Sequence, residues 1–219
     1  MEKSAQSVAN ASYRASEQFG IEGFGDNSIN LENTIIGRNG DNKTQIAGGL
    51  YIGNSGRISL TYVTIVDNQN DGTTLGKSIH CHEDSDGSMM RNSIMLSNGE
   101  KSIVGCKQLK VTFSAIDDRT DLDPSTNKFL DPLPSLNQLF VDPHHLSSPD
   151  YRLQKSGQGA VDTWLKNVAI RQTEDPKVDF EGKPRPDPGQ KDWPGADMAD
   201  SSNGACESIA EVRRMNQIP

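Results

Sequence analysis

The chain has 219 residues, of which 33% are hydrophobic, and its formal net charge is -8 at pH 7. Its 20 glycines and 11 prolines suit many short strands joined by turns better than a thick globular core. The negative charge and the lack of a basic run longer than Arg213-Arg214 argue against a nucleic acid partner, and no run of 18 apolar residues is present to form a transmembrane segment.

The first 27 residues precede the first clear strand repeat. They lack the apolar central run of a secretory signal peptide. An array of stacked strands needs a capping element wherever an end would otherwise expose unpaired strand edges. We therefore expect residues 1–27 to be an N-terminal cap, or else the start of a fragment of a longer protein.

Short apolar strands recur along residues 28–120. The central residues Ile35, Ile65 and Ile94 follow one another at intervals of 30 and 29 residues, each after a hydroxyl residue, and a weaker copy over residues 113–118 follows 22 residues later. Alternation with a period of two predicts strands rather than helices. Such short strands cannot bury an apolar face alone, so the repeat predicts a solenoid of coils stacked in register.

Asparagines close successive copies of the repeat, at Asn39, Asn68 and Asn98. In stacked coils these side chains can form a ladder of amides that bond to one another and to the turn backbone. The alternative is that asparagine is present only because it tolerates left-handed turns.

Three cysteines, Cys81, Cys106 and Cys206, permit at most one internal disulfide. Cys81 and Cys106 lie 25 residues apart, roughly one coil, which would place them on neighbouring strands. They are the disulfide candidate, and the alternative is a pair of buried thiols.

Proline-bearing loops replace the repeat after residue 120. We predict a non-repeating, loop-rich C-terminal capping region over residues 121–200, with a short helix over residues 162–171, and a polar tail over residues 201–219. Arg185 stands between two prolines in this region. We interpret it as the centre of buried charge pairs that tie the region down, with the acidic partners Asp179, Asp187 and Asp197.

Two parts of the sequence resemble a known group of proteins. Gly48-Gly49-Leu50-Tyr51-Ile52 and the strand of residues 57–68 look like the repeat of bacterial right-handed parallel β-helix proteins with the pectin-lyase-like superfold. An ordered series in the last third is similar to the choice-of-anchor Q group of secreted β-helix proteins: Leu139-Phe140-Val141-Asp142-Pro143, Asp150-Tyr151-Arg152-Leu153, Gly159-Ala160-Val161-Asp162, Asp179-Phe180-Glu181-Gly182-Lys183-Pro184-Arg185-Pro186 and Gly195-Ala196-Asp197.

This resemblance implies an all-β fold, a right-handed parallel β-helix solenoid with a non-repeating, loop-rich C-terminal cap. It also implies a secreted or cell-surface location, although this sequence does not contain the signal peptide typical of such proteins. The group does not bring a shared activity or an agreed set of catalytic residues with it.

The superfold also hosts lyases that act on uronate polysaccharides. Their chemistry needs a cation or a cationic side chain at the uronate carboxylate and a base for the α-proton. Acidic residues near equivalent positions after successive strands, with arginines close by, are the catalytic candidates: Asp67, Asp117, Asp118 and Arg119, with Arg38 and Arg91 nearby. The alternative is that they are solvated turn residues.

The stretch from His80 to Gly87 is the densest in metal-ligating residue types. His80 and His82 fall on the same face of a strand, and Asp84 and Asp86 imitate the start of a calcium loop. The stretch lacks both an evident third ligand for a transition metal and the distant glutamate of a full calcium loop. We expect no cofactor, with calcium as the alternative.

The function expected from these patterns is that of a noncatalytic secreted or cell-surface β-helix module that binds a glycan or a protein partner along an exposed coil face. Whether the chain is an enzyme stays open, and the enzymatic alternative is a polysaccharide lyase or glycoside hydrolase. A third alternative is a structural stalk, a fragment of a larger adhesin.

Overall fold

The structure is a computed structural model that describes residues 5–9, 12–14, 21–23, 28–40, 48–53, 57–69, 78–81, 87–97, 102–117, 122–146, 148–157 and 159–199. The described residues form mainly β-strands, with two short helices. None of the described helices has the length and apolar character needed to cross a bilayer.

The repeat region contains strands of very different length. In chain order they are β1 (Ala5–Ala9), β2 (Ser12–Arg14), β3 (Ile21–Gly23), β4 (Ser28–Gly37), β5 (Leu50–Ile52), β6 (Arg57–Val66), β7 (Ile79–Cys81), β8 (Met89–Arg91), β9 (Ile94–Leu96), β10 (Ile103–Val104), β11 (Lys110–Thr112) and β12 (Ala115–Ile116).

The remaining elements belong to residues 122–199, which we call the C-terminal segment. They are β13 (Lys128–Phe129), α1 (Leu136–Leu139), β14 (Phe140–Asp142), β15 (Asp150–Leu153), α2 (Ala160–Trp164), β16 (Ala169–Ile170) and β17 (Lys191–Asp192). The helix α2 begins and ends earlier than the expected 162–171, and β16 replaces the end of that range. That prediction was wrong because α2 closes at Leu165, whose backbone N–H bonds to the Val161 carbonyl.

Strands of successive repeats pair in parallel in two sheets. The larger sheet runs β1-β4-β6-β9-β12-β13, with β2 beside β4 and with β8 between β6 and β11, and the smaller sheet runs β10-β7-β5-β3. Apolar side chains from both sheets, such as Ile36 and Ile65 from the larger and Leu50 and Ile79 from the smaller, meet in one core cluster. The two sheets therefore enclose the core between them.

The middle repeat lies one residue away from the expected register, while Ile35 and Ile94 share a column as expected. Ile35 pairs with Thr64, and Thr64 pairs with Ile94, so the expected alignment of Ile35 with Ile65 is wrong. Ile65 instead lies beside Ile36 and Met95. A shift of one residue moves every side chain to the opposite face of a sheet. Both faces of these strands are buried, so hydrophobicity alone could not tell the two faces apart.

A left-handed bend divides four successive described repeats of the larger sheet. The bend residues share one column of the register and have φ between 44° and 55°: Asn33, Tyr62, Asn92 and Phe113. The bend takes the next backbone N–H out of the regular ladder, and a hydroxyl replaces the lost acceptor. Ser93 Oγ accepts from Val63 N at 3.0 Å, and Ser114 Oγ accepts from Ser93 N at 3.1 Å. This bonding gives a physical reason for the hydroxyl residues at Ser93 and Ser114.

The asparagine ladder is present between the first two copies. Asn68 Oδ1 accepts from the backbone N of Asn39 at 3.0 Å and from its Nδ2 at 3.1 Å, and Asn68 Nδ2 donates to the Ile36 carbonyl at 3.1 Å. Both asparagines are buried. The third position, Asn98, lies outside the described residues.

Cys81 and Cys106 form a disulfide, with an S–S distance of 2.04 Å and a Cα–Cα distance of 5.0 Å. Both residues belong to the core between the two sheets. The bond joins β7 to the turn that follows β10, its parallel neighbour. Gly105 has φ +81°, and a Cβ there would overlap the carbonyl oxygen of Cys81, so only glycine fits beside the bond.

The C-terminal segment packs on the outer face of the larger sheet. Ile35, Val66 and Ile94 from that face join a second core cluster with residues of the segment, among them Phe140 and Tyr151. The approach is close at Gly37, where a Cβ would overlap the Tyr151 ring. These strands are thus covered on both sides, which explains their nearly continuous apolar runs.

Candidate functional site

The acids expected to act in catalysis hold the fold together where the structure describes them. Asp67 Oδ2 accepts a hydrogen bond from the Tyr151 hydroxyl at 3.0 Å, which links β6 to β15. Asp117 Oδ2 accepts from the backbone N of Ser97 at 2.7 Å, and its Oδ1 accepts from Ser102 Oγ at 3.0 Å. Each carboxylate therefore has a structural role.

Asp67 and Asp117 follow strands that are not immediate neighbours in the larger sheet. They follow β6 and β12, and β9 lies between these strands. Two strand spacings of about 4.8 Å each therefore separate their backbones. The other two candidates, Asp118 and Arg119, lie outside the described residues.

The arginines near these acids bind the C-terminal segment. Arg38 Nη1 donates to the His145 carbonyl at 2.9 Å. Arg91 Nη2 lies 2.5 Å from Asp175 Oδ1, and its Nη1 lies 3.3 Å from Glu174 Oε1. Burial raises the pKa of Asp175, and the charge of Arg91 opposes that rise.

Of the metal-ligand candidates, only His80 lies in the described part of the chain. It belongs to β7, is 9% exposed, and stacks on Tyr51 of β5 with the ring centroids 5.4 Å apart and the planes 13° from parallel. His82, Asp84 and Asp86 lie outside the described residues. Within the described ranges, no three His, Cys, Asp or Glu side chains converge in a way that could hold a metal ion.

A buried arginine fastens the C-terminal segment to the bends. Arg185 Nη1 lies 3.1 Å from Asp192 Oδ2 in an ion pair whose side chains are 0% and 1% exposed. Its Nη2 donates to Asn33 Oδ1 at 3.2 Å, and to the carbonyls of Gly195 and Ala196 at 3.0 Å each. The guanidinium also covers the Tyr62 ring, with Cζ 3.6 Å from the ring centroid. Burial and the negative charge of Asp192 raise the pKa of Tyr62 well above its usual range.

The buried role of Arg185 fits the interpretation of the sequence, but the expected partners were wrong. The ion pair is with Asp192 rather than with Asp179, Asp187 or Asp197. The pair forms because β16 and β17 are antiparallel neighbours, which brings Asp192 beside Ala169 and under the bends. The sequence gives no periodic signal for such a contact.

A second set of hydrogen bonds between the repeat region and the C-terminal segment lies at the next bend, at Asn92. Asn92 Nδ2 donates to Asp175 Oδ2 at 2.9 Å and to the Ile170 carbonyl at 3.0 Å, while Asn92 Oδ1 accepts from Ile170 N at 3.1 Å. The Asn92 carbonyl accepts from Gly195 N at 2.8 Å. Successive bends thus serve as docking points for the C-terminal segment.

Two further carboxylates are buried in this segment. Asp179 Oδ1 accepts from the backbone N of Glu181 and of Lys183, and Asp197 Oδ2 accepts from Leu153 N at 3.0 Å. Burial, followed by the charge of Asp179, raises the pKa of Asp197 to about 8. Burial beside Asp179 therefore favours the protonated form of Asp197.

An open pocket of about 230 Å³ adjoins the Arg185–Asp192 pair, and we call it the Trp193 pocket. Its lining residues are Asn167, Pro186, Lys191, Asp192, Trp193, Met198 and Ala199. The exposed and half-buried part of the lining includes an aromatic ring, an amide and an ammonium group, whereas the Asp192 side chain is only 1% exposed. Sequence analysis missed these residues. The available signal was weak: Trp193 is one of only two tryptophans in the chain.

Comparison with protein-family models, with curated proteins and with solved structures finds no match to the chain. The proposals below therefore rest on the contacts and the chemistry of the described residues.

Proposed function

We propose that the chain is a right-handed parallel β-helix of the pectin-lyase-like kind, and that it serves as a noncatalytic secreted or cell-surface module that binds a glycan. The fold proposal is supported by the parallel pairing of corresponding strands in successive repeats, in both sheets. The repeated bends at Asn33, Tyr62 and Asn92 also support it, because one bend per repeat turns the chain in the same sense each time.

One observation carries the noncatalytic proposal. The described acids and arginines that sequence patterns nominate for lyase chemistry all bond to the protein itself: Asp67 to Tyr151, Asp117 to Ser97 and Ser102, Arg38 to His145, and Arg91 to Glu174 and Asp175. A general base must reach the proton of its substrate. Side chains that join repeats to one another or to the C-terminal segment are poorly placed for that role.

Two observations favour a glycan over a protein partner. The large exposed hydrophobic residues of the described part, Met89, Val141 and Leu146, are too few for the apolar centre of a stable protein interface. The Trp193 pocket, by contrast, offers polar groups beside an aromatic ring. That combination suits a hydroxyl-rich ligand.

A secreted or surface location is supported by the Cys81–Cys106 disulfide. Disulfides form and persist mainly in oxidising compartments. The bond lies in the core between the sheets, where both sulfurs are shielded from solvent reductants.

Two assays on the purified chain test this function. In the first, uronate polysaccharides are incubated with the chain, with and without calcium, and unsaturated products are followed by ultraviolet absorbance. A calcium-dependent rise that Asp117→Ala abolishes, while the variant remains folded, would replace the proposal with a lyase. In the second, the labelled chain is applied to a glycan array. Selective binding supports the module, whereas no glycan binding together with capture of a defined protein partner contradicts it.

A further inference from the structure

We propose that the last described residues of the chain, 195–199, close the fold in a pH-dependent way, and we call them the closing strap. Loss of the proton from the Asp197 side chain releases the strap from β15 and from the outer face of the larger sheet, while the repeats stay folded. The ligand that the chain binds plays no part in this change, which therefore stands apart from the proposed function.

The closing strap lies directly on the outer face of the larger sheet. Gly195 N donates to the Asn92 carbonyl at 2.8 Å, and Ala196 N donates to Thr64 Oγ1 at 3.0 Å. A Cβ at Gly195 would lie only 2.8 Å from Ile94 Cδ1, which shows how closely the strap covers the sheet. Ile94 is fully buried, so release of the strap uncovers apolar surface.

Two buried carboxylates hold the end of the strap. Asp197 Oδ2 accepts from Leu153 N of β15 at 3.0 Å, and Asp179 Oδ2 accepts from Met198 N at 3.2 Å. Asp197 is 3% exposed and Asp179 is 0% exposed. The strap contains neither helix nor strand, so its position depends on these few contacts. Segments of this kind open at a lower free energy than packed core strands do.

The place of Asp197 suits the neutral carboxylic acid. Its Oδ1 is buried and has no hydrogen-bond partner among the described residues. An ionised carboxylate in this place would bury a charge with one oxygen unbonded, which is costly. A proton on Oδ1 removes the charge and leaves Oδ2 able to accept from Leu153 N. The contact between the strap and β15 is therefore strongest when Asp197 is protonated.

The charged groups around Asp197 favour the same form on balance. Burial is the largest cause that raises the pKa of Asp197, the charges of Asp179 and Glu181 add to it, and the charge of Lys183 opposes it. Lys183 Nζ lies 2.7 Å from Glu181 Oε2, and Arg152 Nη1 binds the other oxygen of Glu181. Both cations are thus paired with Glu181, and neither bonds to the Asp197 carboxyl group.

Arg185 also contacts the strap, through the carbonyls of Gly195 and Ala196. Its guanidinium stays charged at every pH used below, so it does not contribute to the pH dependence. Asp197 meets water once the strap is released, and the closed form therefore binds the proton more tightly than the released form. Closure is favoured fully below about pH 4, and release becomes easier up to about pH 8.

Amide hydrogen exchange of the full chain between pH 5 and pH 9 tests this inference, with Asp197→Asn measured at the same pH values. The ratio of the two exchange rates at one pH removes the intrinsic pH dependence of exchange. We expect this ratio to rise several-fold per pH unit at Ala196 N and Met198 N, with tenfold as the limit for one proton, and to level off near pH 8. At pH 8 these amides should exchange roughly 100-fold faster than those of Leu60 and Ile65 in β6, which open only with the repeats.

A second variant, Glu181→Gln, removes one of the charges that raise the pKa of Asp197. The ratio should then level off at a lower pH, a shift that a purely structural weakening of the strap would not produce. Asp187→Asn, at an exposed position, is the matched control and should leave that pH unchanged.

Three results would overturn the inference. A ratio that is independent of pH would show that the Asp197 proton does not control the strap. Equal exchange rates in the strap and in β6 would show that the strap opens only when the whole protein unfolds. If Glu181→Gln leaves the levelling pH where it is in the natural chain, the titrating group is not Asp197. Each of these results leaves the proposed glycan-binding function untouched.

Discussion

The guanidinium of Arg185 lies over the ring of Tyr62, with Cζ 3.6 Å from the ring centroid. Tyr62 is a left-handed bend residue of the larger sheet, and Arg185 belongs to the C-terminal segment. Both are buried, and Asp192 balances the charge. One cation therefore joins the repeat region to the segment that covers it.

Removing this cation should destabilise the protein strongly. Arg185→Met leaves the Asp192 carboxylate buried without its partner, and we expect a loss of about 3–5 kcal/mol in the free energy of unfolding, measured by urea denaturation. Arg185→Met with Asp192→Leu should cost clearly less, because no charge is left buried. Arg57→Met, at an exposed position of β6, should change stability by less than about 0.5 kcal/mol. Equal losses in the single and double variants would contradict the expected role of the ion pair.

The asparagine ladder should contribute measurably to stability. Asn68→Ala removes the acceptor of two hydrogen bonds from Asn39 and leaves the buried backbone N–H of Asn39 without that partner. We expect a loss of about 2–4 kcal/mol on chemical denaturation. The control is Asn137→Ala in the exposed face of α1, for which little change is expected. A similar small effect at Asn68 would favour the simpler view that asparagine only suits the turn.

The free energy of unfolding should fall as pH rises, because of the raised pKa of the buried Asp197 carboxyl group. Its pKa is raised from 3.8 to about 8 in the folded protein, so the folded state holds this proton more tightly than the unfolded chain does. The stabilisation of the folded state by this proton is therefore complete below about pH 4 and is lost progressively up to about pH 8. Lys183 opposes the rise, while Asp179 and Glu181 reinforce it.

Asp197→Asn isolates this effect, because an amide stays neutral and its oxygen can still accept from Leu153 N. The stability of the variant relative to the natural chain should rise between pH 4 and pH 9, as measured by thermal denaturation in a pH series. Asp187→Asn, at an exposed position, should show no such trend. Parallel curves for Asp197→Asn and the natural chain would refute the assignment.

The disulfide should stabilise the protein by restricting the unfolded chain. Replacing Cys81 and Cys106 with alanine opens a loop with a sequence separation of 25 residues and should cost about 3 kcal/mol. Both forms carry Cys206→Ser so that no third thiol can exchange. Reductant should lower the denaturation midpoint of the disulfide form and leave the alanine form unchanged. A free-thiol assay in denaturant should find two thiols only after reduction, and two thiols before it would disprove the bond.

Sequence patterns predicted the repeat but could not set its register. Strand recurrence, the closing asparagines and the starting hydroxyls are all local signals, and the pairing of Asn39 with Asn68 follows them. The outer face of the larger sheet is covered by the C-terminal segment, so apolar residues occur on both faces. Thr64 accordingly stands in the column of Ile35 and Ile94, where its Oγ1 accepts from Ala196 N at 3.0 Å.

The site was harder to predict than the fold for a related reason. Acidic residues that end strands look alike in a sequence, whether they bind a ligand or a backbone amide. The partner of Arg185 depends on how a non-repeating segment lies against the bends, and no period in the sequence encodes that placement. Asp192 and the Trp193 pocket therefore become visible only in three dimensions.

Repeat proteins commonly gain or lose a unit during evolution, because each unit contacts only its neighbours. Here the C-terminal segment contacts three successive bends, at Asn33, Tyr62 and Asn92. These bends are spaced by the fixed distance between strands, about 4.8 Å. A duplicated repeat inserted between two of these bends would separate at least one bend from the residue of the C-terminal segment that contacts it. The C-terminal segment thus fixes the number of repeats between the bends that it contacts. Repeat proteins without such a segment can change their number of repeats more freely.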